Sequence, residues 1–248
     1  MTNTTRIALV TGGLGGIGRA ICRQLAARGA HVIAADLPAD AARLEGFNAS
    51  MDGMSVETLA LDVGDAASCA AAIADVEARH GRLDILVNAA GITRDSTLRK
   101  MSVEQWDDVL RINLDSAFHL CRAVVDGMVA RGFGRIVNIS SVSGQIGNFG
   151  QTNYAAAKAG LHGFTMALAR EVAAKGVTVN SLSPGYVETP MTAAMPPEVL
   201  ARTIASVPVG RVGQPDDIAR GVAFLTADDA GYITGINLPV NGGMLMGF

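Results

Sequence analysis

Tyr154 and Lys158 stand four residues apart in Asn153-Tyr-Ala-Ala-Ala-Lys158, so on a helix they share one face with Cβ atoms about 5–6 Å apart. A phenol is an unusual proton donor near neutrality, because its ordinary pKa is about 10. Bringing it near 7 requires about 4 kcal/mol of preferential phenolate stabilisation, for which a neighbouring ammonium is a source. Ser140, Ser141 and Ser143 cluster just upstream. A hydroxyl there can donate to a substrate oxygen as negative charge develops on it. Alone, a Tyr-x-x-x-Lys pair is also what a chance surface pair on a helix looks like.

A second motif changes that balance. Thr11-Gly-Gly-Leu-Gly-Gly-Ile-Gly18 lies between a strand-like run and a helical one, with the spacing T-G-x-x-x-G-x-G. Gly13, Gly15 and Gly18 also fit G-x-G-x-x-G. Glycine serves such a loop because a Cβ would hold a pyrophosphate away from the backbone amides. The loop becomes specific when an acid ends the following strand, and Asp36 is that acid. Its carboxylate suits the ribose hydroxyls of NAD and opposes the 2′-phosphate of NADP. Two unit charges about 4 Å apart repel by roughly 4 kcal/mol at an effective dielectric near 20, so NADH is expected to be preferred over NADPH. Arg43 is the counterweight, a loop arginine able to meet a 2′-phosphate.

These residues need a frame. Strands are predicted over 6–10, 31–36, 58–63, 83–88, 135–140, 177–182 and 235–240. Helices are predicted over 16–28, 65–80, 102–131 (continuous or broken) and 152–175. Several strands are apolar on consecutive positions, as expected of a parallel sheet covered on both faces. The alternation implies one α/β domain over 1–248, a Rossmann-type doubly wound sheet of seven parallel strands. Ligands of such a sheet bind outside the carboxyl ends of the strands. The stretch 186–214 is rich in Pro, Met and Ala, breaks the alternation and is expected to be a substrate lid.

Bulk composition excludes other classes. Hydrophobic residues make up 49% of the chain and charged residues 17%, enough apolar side chains for a large core. The net charge of −3 without a basic run argues against nucleic acid. No run approaches the roughly 20 apolar residues of a membrane span, and no signal peptide is seen. Cys22, Cys69 and Cys121 are scattered and read as buried free thiols of a reducing, cytoplasmic compartment. His31, His80, His119 and His162 are widely spaced and lack any HxxxH pairing, so no metal site is read from them.

Together the motifs resemble the short-chain dehydrogenase/reductase family over essentially the whole chain: Thr11–Gly18, Asp62, Asn88-Ala-Ala-Gly91, Asn113, Ser141, Tyr154, Lys158 and Pro184-Gly185. The family's spacing, thirteen residues from serine to tyrosine, selects Ser141. The resemblance implies a hydride-transferring enzyme with Tyr154 as general acid and Ser141 polarising a carbonyl. Lys158 would lower the phenol's pKa and bind ribose, and Asn113 would help hold a water linking Lys158 to solvent. It places the cofactor against Gly12, Leu14, Gly15, Ile17, Asp36, Asp62, Val63, Asn88, Ala89, Ala90 and Gly91, with Tyr154 and Lys158. Pro184, Gly185, Val187 and Thr189 would frame the nicotinamide.

Within the family the chain is most similar to bacterial acetoacetyl-CoA reductases, which supply (R)-3-hydroxybutyryl-CoA for polyhydroxybutyrate. This implies an acyl-CoA substrate near Asp95, Lys100, Asn148, Phe149, Gly150, Gln151 and Tyr186, with Arg99 and Lys100 toward the coenzyme A phosphates. Members of that group commonly use NADPH, against the reading of Asp36. A 3-oxoacyl-acyl-carrier-protein reductase is the alternative, for which Arg131, Arg135 and Lys175 would supply a docking surface. A non-enzymatic NAD-binding sensor or scaffold is the third reading. A homotetramer is expected, with the apolar C-terminal residues Met244, Leu245, Met246 and Phe248 at an interface or tucked against the chain's own sheet.

Overall fold

The computed structural model describes residues 5–188 and 197–246. Seven parallel strands form one sheet in the order β3-β2-β1-β4-β5-β6-β7. They are β1 (Ile7–Thr11), β2 (His31–Asp36), β3 (Val56–Ala60), β4 (Ile85–Asn88), β5 (Gly134–Ile139), β6 (Val177–Pro184) and β7 (Asn237–Val240). The helices between them are α1 (Gly16–Ala26), α2 (Ala41–Ser50), α3 (Ala66–His80), α4 (Val103–Leu110) and α5 (Ser116–Arg131). After β5 come α6 (Ser143–Ile146), α7 (Thr152–Val172), α8 (Pro197–Ala205) and α9 (Pro215–Leu225).

Strand side chains divide cleanly between the two faces. Ala8, Val10, Val32, Ala34, Val87 and Val137 pack with Ile21 and Leu25 of α1 and with Ile218 and Val222 of α9. Their alternates Leu9, Ile33, Leu86, Ile136 and Val179 pack with Ile73 of α3, Leu120 and Val124 of α5 and Val172 of α7. Residues that alternate along a strand point to opposite faces, so consecutive apolar residues are what a sheet between two helical layers requires.

The strand order reverses between β1 and β4, where a crevice opens at the carboxyl ends. Thr11 at the end of β1 closes its floor, its Oγ1 accepting the backbone N–H groups of Ala89 and Ala90 at 3.0 and 3.1 Å.

The structure departs from the expected elements at several points. The third strand lies at 56–60 rather than 58–63. The long helix expected over 102–131 is not broken but carries a π turn at Arg111–Asp115 between α4 and α5. Helix α2 was not expected, and it makes Arg43 a first-turn helical residue rather than a loop residue. Its start is capped by Asp40, whose side chain accepts from the Arg43 N–H at 2.8 Å. Helix α9, also unexpected, begins with Pro215, the residue with no N–H to waste at a helix start.

Thr189 and Phe248 lie outside the described residues, as does the middle of the expected lid. The two ends of that lid are held together: Gly213 N–H donates to Tyr186 O and Glu188 N–H to Gly213 O, both at 2.8 Å.

Candidate active site

The crevice is a cleft of about 730 Å³ lined by Gly12, Gly15, Ile17, Asp36, Asp62, Val63 and Ala89–Gly91, among others. Its glycines are dictated by packing. A Cβ on Gly18 would overlap the carbonyl of Gly12, and one on Gly13 would lie 2.8 Å from Ala34 Cα. Gly12 itself has φ +63. The loop therefore keeps its backbone bare toward the cleft, as phosphate binding at a helix start requires. Leu14 is buried behind the loop and does not line the cleft; its N–H donates to Asp36 Oδ2 at 3.1 Å.

Asp36 is already engaged. Besides Leu14 it accepts from Leu37 N–H at 2.9 Å and pairs with Arg43 Nη2 at 3.2 Å. Arg43 lines the same cleft, with Arg94 and Arg111, two cations the sequence reading passed over.

Not every expected residue faces the cleft. Asn88 is buried and donates to Asn138 Oδ1 at 2.8 Å, and Asn138 donates on to Thr165 Oγ1 at 2.9 Å. The side chain of Asn88 ties β4 to β5 rather than lining the cavity. Pro184 and Gly185 end β6, where a Cβ on Gly185 would lie 2.8 Å from Asn241 Cα. Val187 is buried beside Gly213.

A Cβ on Gly91, which lines the cleft, would lie 3.4 Å from Lys158 Nζ. Lys158 is 4% exposed, and its ammonium donates to Ile139 O at 2.9 Å. Asn113 sits in the π turn, its Nδ2 donating to Ile92 O and Val109 O, both at 2.9 Å. Its Oδ1 is buried with no partner among the described residues, an acceptor that a water can satisfy. Irregular helical turns recur where a side chain must be re-aimed.

The Lys158 ammonium lies 5.5 Å from the centroid of the Tyr154 ring, one helical turn along α7 as the spacing requires. Ser141 lies beyond the end of β5, its Oγ accepting from Ser143 N–H at 3.1 Å, and it is close enough to Tyr154 to lower the phenol's pKa. Ser140 turns the other way and donates to Lys158 O. Asn153 was missed from sequence although it precedes Tyr154. It is buried, accepts the Tyr154 N–H, and donates to Arg94 O and Gln105 O, fixing the start of α7 against the loop after β4.

The electrostatics differ from expectation at the phenol. Burial raises the Tyr154 pKa, the Ser141 hydrogen bond offsets part of this, and the charge of Asp95 raises it further. Burial also pushes the Lys158 ammonium down to about 8. Protein groups alone therefore do not acidify the phenol.

The residues expected to meet an acyl-CoA fall into one cluster and two outliers. Gln151 Nε2 donates to Asp95 Oδ2 at 2.9 Å, Asn148 donates to Gln151 Oε1 at 3.1 Å, and Gly150 O accepts from Ser96 N–H at 2.8 Å. Phe149 beside them is 89% exposed. Lys100 and Arg99 are exposed on the same loop as Asp95. Tyr186 instead lines a separate cavity of about 240 Å³ with Val207, Val209 and Arg211. Of the docking cations, Arg135 is buried and donates to Ala227 O and Asp228 O. Arg131 is paired with Glu77, so Lys175 alone of the three remains on the surface without such a commitment.

A family model described as enoyl-(acyl carrier protein) reductase matches residues 12–245. The acetoacetyl-CoA reductase of Allochromatium vinosum is 53% identical over 243 residues, covering 97% of this chain and 99% of that protein. The acetoacetyl-CoA reductase of Cupriavidus necator is 50% identical, covering 98% of this chain and all of the relative. The 3-oxoacyl-(acyl-carrier-protein) reductase of Escherichia coli is also 50% identical, covering 97% and 98%. With the cleft, the glycine loop and the Tyr154–Lys158 pair in place, the chain belongs to the short-chain dehydrogenase/reductase family and is an oxidoreductase acting on a ketone or hydroxyl group.

Proposed function

We propose that the protein reduces acetoacetyl-CoA to (R)-3-hydroxybutyryl-CoA, drawing on NADH in preference to NADPH and supplying a polyhydroxybutyrate precursor. The observation that carries this reading is Tyr154, with Ser141 close enough to lower its pKa, beside a buried Lys158 whose Nζ stands next to Gly91 of the cleft lining. Two hydroxyl donors converging on one point suit a single ketone oxygen.

The residues present fit a dinucleotide: bare glycines at a helix start, Asp36 in the cleft lining, and Lys158 next to Gly91 of that lining. The nicotinamide, when bound, supplies the hydride. Tyr154 then gives its proton to the forming alkoxide, and Ser141 holds that oxygen by a hydrogen bond. Because burial raises the phenol's pKa, its acidification would draw on Lys158 and on the positive charge that an oxidised nicotinamide would supply. Asn113, through a water on its Oδ1, would carry the proton back toward Lys158.

The stereochemistry and the acyl-CoA contacts at Asp95, Lys100, Asn148, Phe149, Gly150 and Gln151 are carried by the resemblance. The clustering of five of these positions around the Gln151–Asp95 bond supports them. Tyr186 is proposed to reach the substrate only with the lid, 186–214, in place. The three free thiols are all buried, and no described helix is long and apolar enough to cross a membrane; we place the enzyme in the cytoplasm. A homotetramer is supported by Phe118 of α5 and Met166 of α7, apolar side chains left half-exposed on the two longest helices. Met246 is exposed too, while Met244 and Leu245 are half-buried.

The test is a matrix of initial rates, NADH and NADPH against acetoacetyl-CoA and acetoacetyl-carrier protein. Highest kcat/KM for NADH with the free CoA ester is the expected result. A collapse of rate on the CoA ester with retention on the carrier would transfer the assignment to the carrier-protein reductase, which the Escherichia coli relative favours. Reduction of no ketone at all, with NADH still bound, would leave the sensor reading.

A further inference from the structure

The four histidines are far apart in sequence, but the sheet brings two of them together. His31 opens β2 and His80 closes α3, and their ring centroids are 4.8 Å apart. Glu57 of the edge strand β3 stands between them. Its Oε1 is 3.1 Å from His80 Nε2 and 3.7 Å from His31 Nε2, and one ligand atom from each residue falls within 4.8 Å of the others.

The hydrogen bonding prepares these atoms for a ligand. His31 Nδ1 is 2.7 Å from Ser55 Oγ. With Nδ1–H donated there, Nε2 presents its lone pair inward, and among the described residues Nε2 is buried with no hydrogen-bond partner. A ring nitrogen oriented through its opposite N–H is the usual arrangement of a ligating histidine.

We propose that His31, Glu57 and His80 form a site for a divalent transition-metal ion of the zinc type, with a fourth coordination position open to water. Two imidazoles and a carboxylate are a donor set that zinc takes at about 2.0–2.2 Å. Tetrahedral ligand atoms at such bond lengths are roughly 3.3 Å apart, so small rotations of half-buried side chains suffice to close the set.

Arg79 is the competitor. Its Nη1 donates to Glu57 Oε1 at 2.7 Å and lies 3.4 Å from His80 Nε2. Arg79 and a cation cannot both occupy the face of one carboxylate shared with His80. Arg79 also holds Asp75, four residues before it, at 2.9 Å. It can keep that partner when Glu57 turns to the metal.

The site lies at the amino end of β2, whereas the cleft lies at the carboxyl ends. Its effect is therefore mechanical: the ion pins the exposed edge strand β3 and the end of α3 to β2, and takes no part in hydride transfer.

The test is calorimetric titration of the chelator-treated full chain with zinc chloride. One ion per chain is expected, with a Kd of about 1–10 μM. Excess zinc, about 100-fold over Kd, should raise Tm by roughly 5 °C while leaving kcat unchanged. His80→Gln should weaken binding at least 30-fold, and Arg79→Gln should tighten it at least threefold. Should H80Q not fold, R79Q carries the test alone, because removing a competitor tightens metal binding whereas removing a mere ion-pair partner does not. Binding only above 1 mM, binding unmoved by H80Q, or no tightening in R79Q would overturn the proposal.

Discussion

The Oδ1 atom of Asn113 stands 2.6 Å from the point where a Cβ on Gly91 would lie, and Lys158 Nζ stands 3.4 Å from that same point. Gly91 is thus glycine for want of space, with no positive φ to demand it. Gly91→Ala is expected to push Asn113 aside at a cost of about 1–3 kcal/mol, the range for an overpacked methyl. In an Asn113→Ala background most of that cost should vanish, giving a coupling above about 1 kcal/mol in a double-mutant cycle read by urea denaturation. Additive costs would show that the contact does not constrain either residue.

Lys158 makes stability depend on pH in a particular direction. Burial holds its folded pKa at about 8, against the ordinary lysine value of 10.5. Between those values the unfolded chain binds a proton that the folded chain does not, so stability rises with pH. From pH 7 to 9.5 this one group contributes an increase of about 2 kcal/mol. Lys158→Met should lack that increase, so the gap in unfolding free energy between the two proteins should change by about that amount across the range. Parallel pH profiles for the two would contradict the burial of a titrating ammonium here.

The proposed preference for NADH rests on Asp36 and its partner. Asp36→Ala removes the charge that opposes a 2′-phosphate and frees Arg43, which now pairs with it at 3.2 Å. The ratio of kcat/KM for NADPH to that for NADH should rise about 100-fold, somewhat less than the unscreened repulsion allows. Adding Arg43→Ala should return most of the gain. An unchanged ratio in D36A would mean that Asp36 serves only to hold the Leu14 and Leu37 amides.

The parts of this protein governed by short-range pattern were legible in its sequence. The β2 boundaries fall as expected because His31–Asp36 follows a glycine with φ +89 at position 29 and ends at the acid. Asp65 caps α3 through the N–H groups of Ala67 and Ser68, a signal visible in the residues. Helix α2 escaped because it buries little more than Phe47, so it shows hardly any apolar period. Helix α9 carried its start signal in Gln214-Pro215 but lay beside the irregular segment that drew attention away from it. At the site, Tyr154 and Lys158 were readable from a spacing of four. The inward turn of Asn88, the burial of Arg135 and the meeting of His31 with His80 depend on strands and helices distant in sequence, which no local spacing encodes.

Asp95 offers a kinetic probe of the phenol. Its carboxylate raises the Tyr154 pKa through space and is itself held by Gln151. In ketone reduction Tyr154 must be protonated, so the rate falls as pH rises through its pKa. Asp95→Asn removes the charge while keeping an oxygen for Gln151, and the high-pH limb of kcat/KM should move to lower pH. Gln151→Ala keeps the charge but frees the carboxylate and the turn that carries Phe149. It should raise KM for the acyl-CoA about 5- to 10-fold, as loss of a positioning hydrogen bond does, with NADH affinity unchanged. A high-pH limb that stays in place in D95N would show that the group titrating there is not the phenol facing Asp95.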